Sequence, residues 1–153
     1  MPIASGITAS SYLVTGLSVG SLYSFKIQAR NIFGFSSFSD IVQILAAQIP
    51  DKPLAPTTTF DRTTVKITWA APFEQGSPIT GYQVFIKTSD SVTYYEDLTD
   101  CNRLSIPSLS CTIPILSLKT QPYTIPWGGH VYSKIIAINA YGYSEISEDG
   151  NGA

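Results

Sequence analysis

Charge is scarce in this sequence. Asp, Glu, Lys and Arg make up 13% of its 153 residues, and the net charge is −2. Proteins that grip phosphate backbones need a surplus of Lys and Arg, so nucleic-acid binding is excluded as a main role. Histidine occurs once, at His130, and cysteine twice. One histidine with no neighbouring thiol pair cannot supply the four ligands of a zinc site. No apolar run approaches the roughly 20 residues that span a bilayer, so no membrane span is expected in this segment. The opening MPIASGITASSYL lacks a basic start and a compact apolar stretch, and is not expected to act as a leader.

Catalytic patterns are equally thin. His130 follows Gly128-Gly129 and reads as a surface turn residue. No serine sits in a nucleophile elbow, and no glycine-rich loop has the phosphate-cradling pattern. Asp97, Asp100, Glu145, Glu148 and Asp149 read as solvated turn carboxylates, without the facing pair that glycoside hydrolysis requires. No catalysis and no cofactor are expected. Asn31, Asn102, Asn139 and Asn151 all lack the following x-Ser/Thr, which excludes N-glycans here. The threonines of PTTTFDRTT (56–64) offer O-glycan acceptors, although β-propensity explains them as well.

What the sequence does hold is apolar material, 44% of the chain, enough for a buried core. Its pattern is strand-like. TTVKITW (63–69) alternates Val65, Ile67 and Trp69 against Thr64, Lys66 and Thr68, and ITGYQVFIK (79–87) sets Tyr82, Val84 and Ile86 on one face. LYSFKIQARN (22–31) and VYSKIIAIN (131–139) repeat the device. A period of two marks half-buried strands, and helical periodicity is absent. Turn signals fall between the runs, which predicts an all-β, antiparallel sandwich.

One phrase is written twice. ARNIFGFSSFSD (29–40) and AINAYGYSEISE (137–148) align with Asn31 on Asn139, an offset of 139 − 31 = 108 residues. Lys26, Ile27, Ala29, Gly34, Ser36 and Ser39 match Lys134, Ile135, Ala137, Gly142, Ser144 and Ser147 identically. Phe33 and Phe35 match Tyr141 and Tyr143 in kind. A period near 100 residues suits whole modules in tandem.

These residues resemble fibronectin type III domains. YLVTGLSVGSLYSFKIQARNIFGFSSFS (12–39) is similar to that family's second half: a strand E ending at Gly16-Leu17, Tyr23 entering strand F, and an A-x-N-x-x-G turn toward strand G. KPLAP (52–56) resembles the family's opening segment, and Trp69 its strand B tryptophan, followed by Pro72 and GSPITGYQV. The resemblance implies three divisions. Residues 1–48 would be the strand E–G half of a first module, and 49–56 a proline-containing linker or the start of strand A, stiffened by Pro50, Pro53 and Pro56. Residues 53–153 would be a second module with strand G truncated or absent. Half a sandwich exposes a core face. Either the chain is an excerpt from a longer array, or identical copies complete one another by strand exchange in a head-to-tail fibre.

Val131 stands in the second module where Tyr23 stands in the first, so the tyrosine corner of this fold class is missing there. Tyr123 and Trp127, in the long connection KTQPYTIPWGGH (119–130), are expected to cover that site. Cys101 and Cys111 are the only cysteines. An even count, one loop and a sandwich context favour a local disulfide over two reduced thiols, and with it an extracellular or cell-surface home. The expected role is that of a structural repeat segment, as spacer, coat or fibre, whose partners are adjacent modules or copies of itself. The alternative is a recognition module of a receptor-like ectodomain. Phe33, Phe35, Tyr141 and Tyr143 of the F–G turns would then be contact residues, with Tyr123 and Trp127 as further candidates.

Overall fold

A computed structural model describes residues 2–102 and 109–153. The chain divides into two compact units, Met1–Ala46 and Ala47–Ala153. The described residues are mostly antiparallel strand, and none of their helices is long and apolar enough to cross a membrane.

Unit 1 is a hairpin. β1 (Leu22–Phe25) and β2 (Arg30–Asn31) ascend, while β3 (Gly34–Phe35) and β4 (Val42–Leu45) descend. Leu22 pairs with Leu45 and Phe25 with Val42 at the base, and Asn31 with Gly34 at the tip. The tyrosine corner is made: the Tyr23 hydroxyl accepts the Ser18 N–H at 2.9 Å. The strand expected to end at Gly16-Leu17 is not present, because no described residue before Leu22 enters a ladder.

Unit 2 is a two-sheet sandwich. One sheet orders β5 (Thr57–Asp61), β6 (Thr64–Thr68) and β9 (Ser110–Pro114). The other orders β11 (Gly142–Tyr143), β10 (Ser133–Asn139), β7 (Ile79–Lys87) and β8 (Tyr94–Glu96). Val65, Ile67 and Ile113 of the first sheet face Val84, Ile86, Ile135 and Ala137 of the second, all buried. Trp69 meets Tyr82 edge-on, with ring centroids 5.4 Å apart. Each fully buried Ile or Val contributes roughly 1.5–3 kcal/mol. A single helical turn, α1 (Ile115–Lys119), follows β9 and buries Leu118.

One expectation fails in unit 2. Strand G is not missing. After β11 the chain runs antiparallel to β10 to its last residue, with N–H donors of Ser144, Ser147 and Gly150 reaching carbonyls of Ala137, Ile135 and Ser133. Val131 and Ala153 exchange two backbone bonds at the end. Three residues of this segment pass for every two of β10, so it lacks the alternation that marks a strand in sequence. The vacancy that a donor strand from another copy would fill is therefore occupied within the chain.

Residues 49–56 pack on unit 2. Pro50, Pro53 and Pro56 are buried. The Gln48 N–H donates to the Gln75 carbonyl and the Asp51 N–H to the Phe73 carbonyl, each at 3.0 Å. A proline brings no N–H, so it can be packed at a sheet margin without orphaning a donor.

The margin of β5 is closed by a side chain. Asn151 Oδ1 accepts the Thr58 N–H at 2.7 Å, and its Nδ2 donates to the Thr58 carbonyl at 3.1 Å. The carboxamide thus occupies the place a neighbouring strand's peptide group would take. Gly150 is needed just before it, since a Cβ there would lie 2.5 Å from the Pro56 carbonyl oxygen.

Candidate interaction surfaces

The repeated phrase has a physical cause. In unit 2 the Ala137 N–H donates to Ser144 Oγ and the Ile135 N–H to Ser147 Oγ, each at 2.9 Å. Each hydroxyl then donates to the next residue's carbonyl, Glu145 or Glu148, at 2.9 Å. Unit 1 does the same: Ala29 and Ile27 N–H groups donate to Ser36 and Ser39 hydroxyls at 3.0 and 3.1 Å, which pass to the Ser37 and Asp40 carbonyls. Where the descending strand carries an extra residue, a backbone carbonyl falls out of reach of the opposing N–H. A hydroxyl one carbon off the main chain replaces it.

Both tips are held by asparagine. Asn139 Oδ1 accepts the Tyr141 and Gly142 N–H groups at 2.8 and 3.2 Å, and Asn31 Oδ1 the Phe33 N–H at 2.9 Å. Gly34 and Gly142 adopt φ of 140° and 139°, a region that favours glycine. The aromatic residues stand outward on these tips. Phe33 is 92% exposed and Phe35 68%, with the Arg30 guanidinium over the Phe35 ring at 5.3 Å. Tyr141 and Tyr143 are about half exposed.

The connection between α1 and β10 departs from its expected arrangement. Tyr123 is buried, but Trp127 is 78% exposed and carries the Lys119 ammonium 3.8 Å from its ring centroid. Val131 itself is buried, and it exchanges backbone bonds with Ala153.

Asp97, expected to be a solvated turn carboxylate, is instead a buried junction. Its Oδ1 accepts backbone N–H groups of Thr99, Asp100 and Cys101 at 2.7–3.1 Å, and its Oδ2 the Tyr123 hydroxyl at 2.9 Å. Burial, then the bond to Asp97, push the Tyr123 phenol well above its ordinary range. The carboxylate ties the segment after β8 to the connection before β10. Cys101 and Cys111 are joined by a disulfide with a Cα–Cα distance of 5.4 Å. Residues 103–108 of the intervening loop lie outside the described residues.

A second charged cluster lies on the outer face of the larger sheet. Asp149 accepts the Tyr94 hydroxyl and faces Lys87 at 3.3 Å and Lys134 at 3.6 Å. Burial pushes the Asp149 carboxyl up, but Tyr94, Lys87 and Lys134 together outweigh it and hold it below its usual value. Every member has a partner, so the cluster reads as a clasp on the descending strand. The threonines of 57–59 divide: Thr57 and Thr59 are exposed, while Thr58 is buried against Asn151. His130 is exposed, as expected, and among the described residues no three His, Cys, Asp or Glu side chains gather to hold a metal.

No family model matches the chain. Over 84 residues, 54% of its length, it is 34% identical to a Kelch domain-containing protein of Saccharolobus solfataricus, of which the match spans 12%. Among solved structures, it is similar to domains of titin, with a TM-score of 0.59, 21% identity, and coverage of 90% of this chain and 42% of that one. It is also similar to the chicken CNTN1 FN1–FN3 domains, with a TM-score of 0.53 and 25% identity over 68% of this chain and 32% of that one. The titin kinase with its flanking domains gives a TM-score of 0.53 and 22% identity over 70% of this chain and 17% of that one. The chain thus spans less than half of each of these proteins. The fold is that of fibronectin type III-like, immunoglobulin-like modules, with the same serine-relayed and asparagine-held hairpin in each unit, 108 residues apart (139 − 31).

Proposed function

We propose that this chain is a non-catalytic structural segment of an extracellular or cell-surface multi-module protein, in which its units serve as spacers. The observation that carries this reading is the joint. Ala46 is tied into unit 1, where it exchanges backbone bonds with Ser21 and Gly20. Gln48 is tied into unit 2 through the Gln75 carbonyl and, by its own carbonyl, to Asn139 Nδ2 at 2.7 Å. Only Ala47 lies between. The connection is a single residue, with none of the slack of the long Gly/Ser linker that a spacer avoids. The Cys101–Cys111 disulfide supports an oxidising location, and Thr57 and Thr59 would be the acceptors for O-glycans there.

The interior of some hyperthermophiles also preserves disulfides, so accessibility from outside decides the location. Protease added to intact cells of the source organism should digest this segment, and survival until lysis would sink the surface assignment. For the spacer role, six Gly/Ser residues inserted after Ala47 should broaden the distance distribution between labels in the two units. An unchanged distribution would remove the role assigned to the joint.

Recognition through the F–G turns is the second reading, favoured by the 92% exposure of Phe33 and the outward Tyr141 and Tyr143. Phe33→Ala with Tyr141→Ala would abolish partner capture at unchanged stability if that reading holds.

A further inference from the structure

Asn151 is the one asparagine of the sequence that is followed by glycine; Asn31, Asn102 and Asn139 precede Ile32, Arg103 and Ala140. Asparagine is a thermolabile residue, and a glycine after it leaves no side chain to shield the backbone nitrogen that can attack its carboxamide. The fold calls for both members of this pair. Asn151 supplies the carboxamide that stands in for a peptide group beside Thr58. Gly152 adopts φ of 73°, and a Cβ there would lie 2.7 Å from the Tyr132 ring, so a side chain at 152 would be both strained and crowded. The margin of β5 is thus closed by the most labile dipeptide the chain contains.

While it closes that margin, the carboxamide is engaged at both ends. Its Oδ1 accepts the Thr58 N–H at 2.7 Å and the Thr58 hydroxyl at 3.1 Å, and its Nδ2 donates to the Thr58 carbonyl at 3.1 Å. The main chain is held on either side, by the Gly150 N–H on the Ser133 carbonyl at 3.0 Å and the Ala153 N–H on the Val131 carbonyl at 3.3 Å. Attack by the Gly152 nitrogen makes Asn151 Cγ tetrahedral, draws it onto the main chain and turns Nδ2 into a leaving group. A carboxamide bonded at both ends to one peptide group cannot do this without letting go. Reaction is therefore tied to local opening of the margin.

We propose that Asn151–Gly152 is a self-modification site that works as a one-way latch on β5: shut, it is protected, and once opened it reacts to a form that cannot shut again. In the first step a bond forms between the Gly152 nitrogen and Asn151 Cγ, the Cγ–Nδ2 bond breaks, and the glycine nitrogen's proton leaves with Nδ2 as ammonia. Water then opens the resulting succinimide at either carbonyl, giving aspartate or isoaspartate at 151, and nothing is oxidised or reduced. Aspartate has no donor for the Thr58 carbonyl and sets a negative oxygen against it. Isoaspartate also adds a methylene carbon to the main chain between the Gly150 and Ala153 bonds, which throws them out of register. Either product uncovers the Thr58 peptide, in a residue 2% exposed while the latch is shut, as a place for another strand to pair.

The test has two arms, and neither depends on where the protein resides. In the first, the 153-residue chain is incubated at mildly alkaline pH, folded and in concentrated urea, and peptide mapping follows aspartate and isoaspartate at position 151. In urea Asn151 should convert ahead of Asn31, Asn102 and Asn139, and in the folded chain at least about tenfold more slowly than in urea. Equal rates at 151 in the two states, or no conversion in urea, overturns the proposal. In the second arm, Asn151→Asp supplies the aspartate product directly, and amide hydrogen exchange is read at Thr58 and Ile135. Exchange at Thr58 should quicken by at least about tenfold relative to the parent, and exchange at Ile135, bonded to the Ser147 hydroxyl inside the unit, should change far less. Protection retained at Thr58, or lost equally at Ile135, overturns the latch, the first because the carboxylate would then close the margin as well as the carboxamide, the second because the effect would not be local.

Discussion

The Ser147 hydroxyl stands between the Ile135 N–H, which it accepts at 2.9 Å, and the Glu148 carbonyl, to which it donates at 2.9 Å. Ser147 is 1% exposed, so water cannot replace it. Ser147→Ala should leave the Ile135 N–H orphaned and cost about 1–3 kcal/mol in chemical denaturation. Ser39→Ala, at the exposed counterpart, should cost less than about 0.5 kcal/mol. Equal costs at the two sites would show that the relay is not what these serines contribute.

Tyr123→Phe removes the hydroxyl that donates to Asp97 Oδ2 and should destabilise unit 2 by about 1–3 kcal/mol. The pH dependence has a definite sign. The Tyr123 phenol is raised in the folded state above its ordinary 10.0, so its contribution is complete below pH 10 and is lost as pH climbs through the folded value. Stability between pH 9 and 12 should therefore fall less steeply in Tyr123→Phe than in the parent, and identical slopes would contradict the assignment.

Asp149 gives the opposite sign. Its folded carboxyl titrates below the ordinary 3.8, so its stabilising effect is present above that value and lost as pH falls through the folded one. Asp149→Asn should flatten the acid limb of the stability profile below about pH 4.

Reducing Cys101–Cys111 opens a ring closed over a sequence separation of 10 residues, which the chain-entropy account values at about 2–3 kcal/mol. The paired Cys101→Ala and Cys111→Ala variant should lose that amount and become insensitive to reductant. A parent protein equally insensitive would show that the bond does not form in solution.

The interior strands were plain in the sequence because each keeps a period of two over a buried face: Val65, Ile67 and Trp69 lie inward, as do Tyr82, Val84 and Ile86. The last strand was not, because its serine relays impose a period of three and no alternation survives. Asp97 looked solvated because its deciding partner, Tyr123, lies 26 residues away. Pro50, Pro53 and Pro56 looked like a linker because composition cannot tell a stiff connector from a proline-bearing margin packed on a sheet. Trp127 misled for the opposite reason: its size suggested burial, and Lys119 occupies its face instead.

Neighbouring repeats of near-identical sequence meet at high local concentration, where one module's strand can invade the next during folding. The flank of unit 2 resists this chemically. Its buried prolines offer an intruder no hydrogen to bond, and the Asn151 carboxamide already sits on the Thr58 peptide of β5, where a foreign ladder could start. Kinship between modules can therefore run high along such a chain without cross-pairing, because fidelity is guarded by a side chain that imitates a backbone.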